Sequence, residues 1–182
     1  MSLALLILTG LLADTHAPTT TYYLGETQVK TGDGKPLGNM VSLVKREVIP
    51  ADSKIIETVL MVSSYPGEPT KEFVAVFSVK GETFTMKEQS GAFAGDGELI
   101  GKPWAWTAWN STSKVAGERG VTVVSRDKLN DRGMAVIKDV FSPDGTPRAK
   151  LVEDYATIDG ATYALLRSKL APKEILQPKA PK

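Results

Sequence analysis

The sequence predicts an all-β fold, a single antiparallel up-and-down barrel of about eight to ten strands with a short C-terminal helix. Short runs rich in β-branched and aromatic residues recur along the 182-residue chain. Turn clusters of about two to six residues separate them, which fits hairpins rather than a parallel sheet. Residues 91–112 join a Gly-rich strand to the chain's three tryptophans, Trp104, Trp106 and Trp109, its largest apolar side chains. Closing such a meander on itself leaves no exposed edge, so a barrel is preferred over an open sheet.

In chain order, Tyr22–Lys30 reads as the first strand, closed by the turn cluster Thr31-Gly32-Asp33-Gly34-Lys35-Pro36. Met40–Ile49 follows and is stopped by Pro50. Lys54–Ser64 is almost continuously apolar and would also suit a buried helix; its β-branched residues and the flanking Pro50 and Pro66 favour a strand. Glu72–Val79 and Thr83–Gln89 are joined by a tight Lys80-Gly81-Glu82 turn. Phe93–Ile100 carries Gly95 and Gly97, which signal a bulge or sharp bend. A turn at Lys102-Pro103 leads into Trp104–Ser111. Gly120–Arg126, Met134–Phe141 and Arg148–Tyr155 complete the set. Asp159 is placed to cap a helix over Ala161–Leu170 with Leu165, Leu166 and Leu170 on one face; an eleventh strand is the other option.

Composition narrows the function classes. Lys plus Arg is 22 against 21 for Asp plus Glu, which gives no electrostatic footprint for nucleic acid or an acidic membrane. Cysteine is absent, so disulfides, thiol nucleophiles and Cys-based metal sites are excluded. The single histidine, His16, lies near the N-terminus; a Ser-His-Asp triad, a His-based zinc site or a haem histidine is not expected, and neither a cofactor nor a metal is. Each Asp-Gly pair, as at Asp96-Gly97, lacks the spacing of a calcium loop and reads as a turn.

Residues 1–17 resemble a signal peptide: an uncharged apolar run from Leu3 to Ala13, with small residues at Ala13 and Ala17 for cleavage. The run falls short of the roughly 20 residues that span a bilayer. It implies a secreted or periplasmic protein, with a buried first strand or helix as the alternative. Residues 18–170 then form the barrel domain, and the Pro/Lys-rich residues 171–182 a solvated tail.

The pattern G-x-G-E-L-x-G-K-P-W, from Gly95 to Trp104, resembles bacterial exported domains of the calycin or lipocalin-like type, over about residues 20–160. The N-terminal G-x-W of true lipocalins is replaced here by Gly25-Glu26-Thr27. The resemblance implies a barrel that carries a small apolar ligand.

Strand parity supplies the candidate site. Trp104 and Trp106, two apart, share a face and with Phe84, Met86 and Tyr155 would line a pocket for an aromatic or lipid-like ligand, or simply fill the core. Trp109 falls on the opposite face unless a bulge intervenes, where an exposed Trp would suit a partner. Glu88, Asp139 and Glu153 share faces with apolar neighbours, and Arg126 with Val124; if inward, these four form a polar cluster, and a slip of one residue would turn each to solvent. The expected function is non-catalytic binding of a small hydrophobic ligand. The alternatives are a filled-barrel interaction domain and a carboxylate-dependent isomerase or lyase using Glu88 and Asp139.

Overall fold

The structure is a computed structural model that describes residues 16–63, 70–117 and 120–171. Ten antiparallel strands close into one barrel in sequence order, β1 pairing with both β2 and β10. They are β1 Thr19–Thr31, β2 Pro36–Ile49, β3 Lys54–Ser63, β4 Lys71–Lys80, β5 Thr83–Glu88, β6 Phe93–Lys102, β7 Ala105–Val115, β8 Thr122–Asn130, β9 Gly133–Phe141 and β10 Pro147–Ile158. A helix, α1, spans Gly160–Leu170. The expected leader falls almost wholly outside the described residues, as does the Pro/Lys-rich tail beyond Ala171. No described helix is long and apolar enough to cross a membrane.

Each expected strand is present, usually extended by one to four residues because pairing continues into the turns. The Trp strand differs most. The two-residue connection is Pro103-Trp104, with Lys102 paired to Ala105 and Trp104 at φ 62°, so Trp104 belongs to the turn and not to the strand. Proline first and positive φ second is the pattern of a tight turn that normally takes Gly at the second position. Just beyond it, Gly101 pairs with Trp106 but Ile100 pairs with Ala108, so Thr107 is an extra residue on β7. This bulge rotates the strand by one position and puts Trp106 and Trp109, three apart, on the same inner face.

Glycines let aromatic rings lie against neighbouring strands. A Cβ on Gly25 would fall 2.1 Å from the Tyr155 ring, and one on Gly97 would fall 2.5 Å from the Phe84 ring. Only glycine at these positions allows the two rings to pack directly on the backbone.

The barrel has two cores. Inside, Ile55, Phe77, Phe84, Leu99 and Trp106 pack with partly buried Val48, Val79, Trp104 and Leu129 toward the end where β2, β4, β6 and β8 finish. Outside, α1 covers Leu43 and Leu60 with Tyr163, Leu166, Leu170 and Ala171. The apolar helix face is therefore centred on Tyr163, and Leu165, expected on it, is 55% exposed. Asp159 caps α1 as expected, accepting from Thr162 N at 2.8 Å. Arg167 donates through Nε (3.1 Å) and Nη2 (2.6 Å) to Glu72 Oε1, tying the helix to β4.

Candidate functional site

A cavity of about 240 Å³ occupies the barrel centre and runs toward the end where β3, β5, β7 and β9 finish. It exists because several inward positions carry small side chains: Thr27, Ser42, Ala75, Ser111, Ser113 and Ser125. Larger apolar groups, among them Val59, Met61, Phe73, Phe93 and Trp109, form the rest of its wall.

Part of the wall is charged, with Glu57, Asp127, Lys138 and Glu153. Lys138 Nζ lies 2.8 Å from Glu153 Oε1, and the Tyr155 hydroxyl donates to Glu153 Oε2 at 2.7 Å. Arg46 Nη1 donates to Glu57 Oε1 at 2.7 Å, and its guanidinium carbon sits 4.1 Å from the Trp109 ring centroid. Asp127 accepts a 2.8 Å hydrogen bond from Ser125 Oγ and forms no ion pair among the described residues. Its register partner on β7 is Trp109.

The environment moves these groups in different directions. Burial pushes the Asp127 carboxyl up to about 7, only partly countered by nearby Lys138 and by the Ser125 hydrogen bond. Burial alone would lower Lys138, but Glu153, through charge and hydrogen bond, outweighs it and holds the ammonium above its ordinary value. Burial, then adjacent Glu153, lifts Tyr155 well above the ordinary tyrosine range. Among the described residues, then, Arg46 and Lys138 are ion-paired to Glu57 and Glu153, and Asp127, though influenced by Lys138, has no ion pair of its own.

The residues expected from sequence divide. Met86, Tyr155 and Glu153 line the cavity. Phe84 and Trp106 are buried in the packed end of the barrel and Trp104 lies partly buried against Trp106, with ring centroids 4.8 Å apart; none of the three reaches the cavity wall. Glu88 shares the inner face with Phe84 and Met86 but turns its carboxylate into the β5–β6 connection. There it accepts from Ser90 N (2.8 Å), Ala92 N (3.0 Å) and the Ser90 hydroxyl. The Ser90 contact, ahead of the backbone bonds, holds its carboxyl below the ordinary glutamate value.

Arg126 and Asp139 take the solvent-facing alternative. They pair with each other on the outer surface, the inner face of β8 and β9 being carried by Ser125, Asp127, Val136 and Lys138. Trp109 is corrected: the Thr107 bulge brings it inside, where it is 5% exposed. Arg46, Glu57, Asp127 and Lys138 were not singled out by sequence reasoning. The one available signal was period-two continuity, Ser125-x-Asp127-x-Leu129 and Met134-x-Val136-x-Lys138, and apolar residues on both faces of β9 mask it.

Among the described residues no group of three or more His, Cys, Asp or Glu is placed to hold a metal ion. No protein-family model matches the chain, and no curated protein matches it. The closed antiparallel barrel is consistent with a calycin-like fold.

Proposed function

We propose that this protein binds a small, largely apolar molecule non-covalently inside the barrel and does not transform it. The observation that carries this reading is the cavity of about 240 Å³ with its mostly apolar wall. An engineered cavity of about 150 Å³ accepts benzene, which scales this one to a ligand of about ten non-hydrogen atoms. The cavity favours a carrier over a barrel filled throughout by its own side chains. The lipocalin-like sequence pattern and the signal-like N-terminus fit a carrier working outside the cytoplasm, secreted or periplasmic. The test is native mass spectrometry of the full chain from an exporting host, before and after organic extraction, followed by titration with small aromatic probes. A removable added mass, or saturable quenching of Trp109 fluorescence, is expected. A clean mass with no probe uptake at millimolar concentration would overturn the reading.

One observation favours a second reading, acid–base chemistry in the cavity. Asp127, near 7 and facing the cavity, has the protonation behaviour of a general acid or base. Glu88 and Asp139 do not lend themselves to that role, one being engaged in a turn and the other lying outside. Under this reading Asp127→Asn abolishes turnover of a bound substrate while its binding persists.

A further inference from the structure

Asp127 has the properties of a counter-ion awaiting its cation. It is 6% exposed, borders the cavity, and accepts one hydrogen bond from a neutral hydroxyl. The charged groups that act on it are Lys138 from β9, Glu57 from β3 and Glu153 from β10, with Arg46 of β2 paired to Glu57 and the Tyr155 hydroxyl bonded to Glu153. Lys138 is committed to Glu153 and Arg46 to Glu57. With Glu57, Glu153 and Asp127 all ionised, the described groups around the cavity therefore carry one negative charge more than Arg46 and Lys138 cancel. An anionic ligand would deepen that imbalance, and a neutral one would leave it for a proton to neutralise. Only a cation cancels it without a proton, and an unpaired buried charge is costly enough to make that preference strong.

We infer that the ligand is a small organic ammonium ion, its charged nitrogen held by Asp127 beside Ser125 and its apolar body of about ten non-hydrogen atoms lying among Val59, Met61, Phe73 and Phe93. This rests on the carrier reading above and specifies the class of molecule carried. Binding is coupled to a proton: the ammonium replaces the hydrogen on Asp127, which leaves to solvent. The elevated Asp127 value agrees with this exchange, since the empty site holds its proton into the neutral range.

The test compares 2-phenylethylamine with 2-phenylethanol, which have the same shape and differ in charge, by calorimetry on the full chain at about pH 5.5 and about pH 8.5. Amine affinity is expected to rise roughly thirtyfold between the two, following ionisation of a carboxyl near 7. Alcohol affinity should change less than about threefold, and Asp127→Asn should flatten the amine profile. Should that variant not fold, the wild-type protein still decides: titrations at about pH 6 in buffers of differing ionisation enthalpy should show release approaching one proton per amine bound. Alcohol binding with no preference for the amine at the higher pH, a pH profile that survives Asp127→Asn, or no proton release overturns the ammonium site and leaves the carrier reading standing. Failure of both probes to bind overturns the ammonium site, and together with a clean native mass it overturns the carrier reading as well.

Discussion

Arg46 lies over the indole of Trp109, its guanidinium carbon 4.1 Å from the ring centroid, while its Nη1 reaches Glu57 at 2.7 Å. The contact holds a cavity wall in place from behind, using one side chain both to support the indole and to neutralise Glu57. Arg46→Lys keeps the charge but loses the planar group over the ring, and should lower stability by about 1 kcal/mol. Arg46→Met strands Glu57 and should cost about 3 kcal/mol or more. Urea denaturation of the two variants checks this; equal losses would mean that charge neutralisation is not what Arg46 supplies.

Trp104 and Trp106 touch, yet their removal should differ. Trp106 is buried in the packed end of the barrel, and Trp106→Ala should lower stability by about 3–5 kcal/mol. Trp104 is only partly covered and occupies a left-handed conformation, a strain of about 1–2 kcal/mol for a non-glycine residue. Trp104→Gly relieves that strain as it removes the contact, so its net loss should be far smaller. Denaturation midpoints of the pair decide the matter, and a Trp104→Gly loss matching Trp106→Ala would refute it.

The strands were legible because turn chemistry at Gly, Pro and Asp marks nearly every hairpin, and the barrel follows from counting them. Which way each strand faces was less legible. Glu153, between Leu151 and Tyr155 on β10, and Asp139, between Ile137 and Phe141 on β9, have the same apolar flanks in sequence, yet the first is buried and the second lies outside. Lys138 and Asp139 are adjacent, and β9 is apolar on both faces, with Met134 and Val136 inside and Ala135 and Ile137 outside, so alternation could not choose between them. Trp109 depended on a single extra residue, Thr107, opposite Gly101, and a bulge of that kind leaves only a glycine as its trace in sequence. The cavity was least visible. It is made by inward serines, which in isolation read as ordinary strand residues.

Lys138 and Glu153 form the cavity's own ion pair, at 2.8 Å, with the Tyr155 hydroxyl completing the acceptor set of Glu153. Lys138→Met should cost about 3 kcal/mol, the lower end for a broken buried pair, because the lysine side chain remains 34% accessible. Adding Glu153→Gln removes the stranded charge and keeps an acceptor for Tyr155. The double variant should therefore be more stable than Lys138→Met alone. A thermodynamic cycle over the two sites measures the coupling, and additive losses would show that the pair contributes nothing as a pair.

Asp127 should make stability fall as pH rises. Its folded value of about 7 stands above its ordinary 3.8, so the folded chain keeps this proton after the unfolded chain has released it. The stabilisation is complete below about pH 4, declines through the window from about 4 to about 7, and levels off above it, where both states are ionised. Each tenfold difference in proton affinity between the folded and unfolded chains is worth about 1.4 kcal/mol, so the whole change amounts to up to about 4 kcal/mol. Asp127→Asn cannot ionise and should lack this decline, becoming more stable than the wild type above about pH 7 by the difference that builds up across the window. Urea midpoints of both proteins from about pH 4 to about pH 9 test it. Parallel curves would mean that the proton retained by the folded barrel is not on Asp127, and the charge count inside the cavity would have to be redrawn.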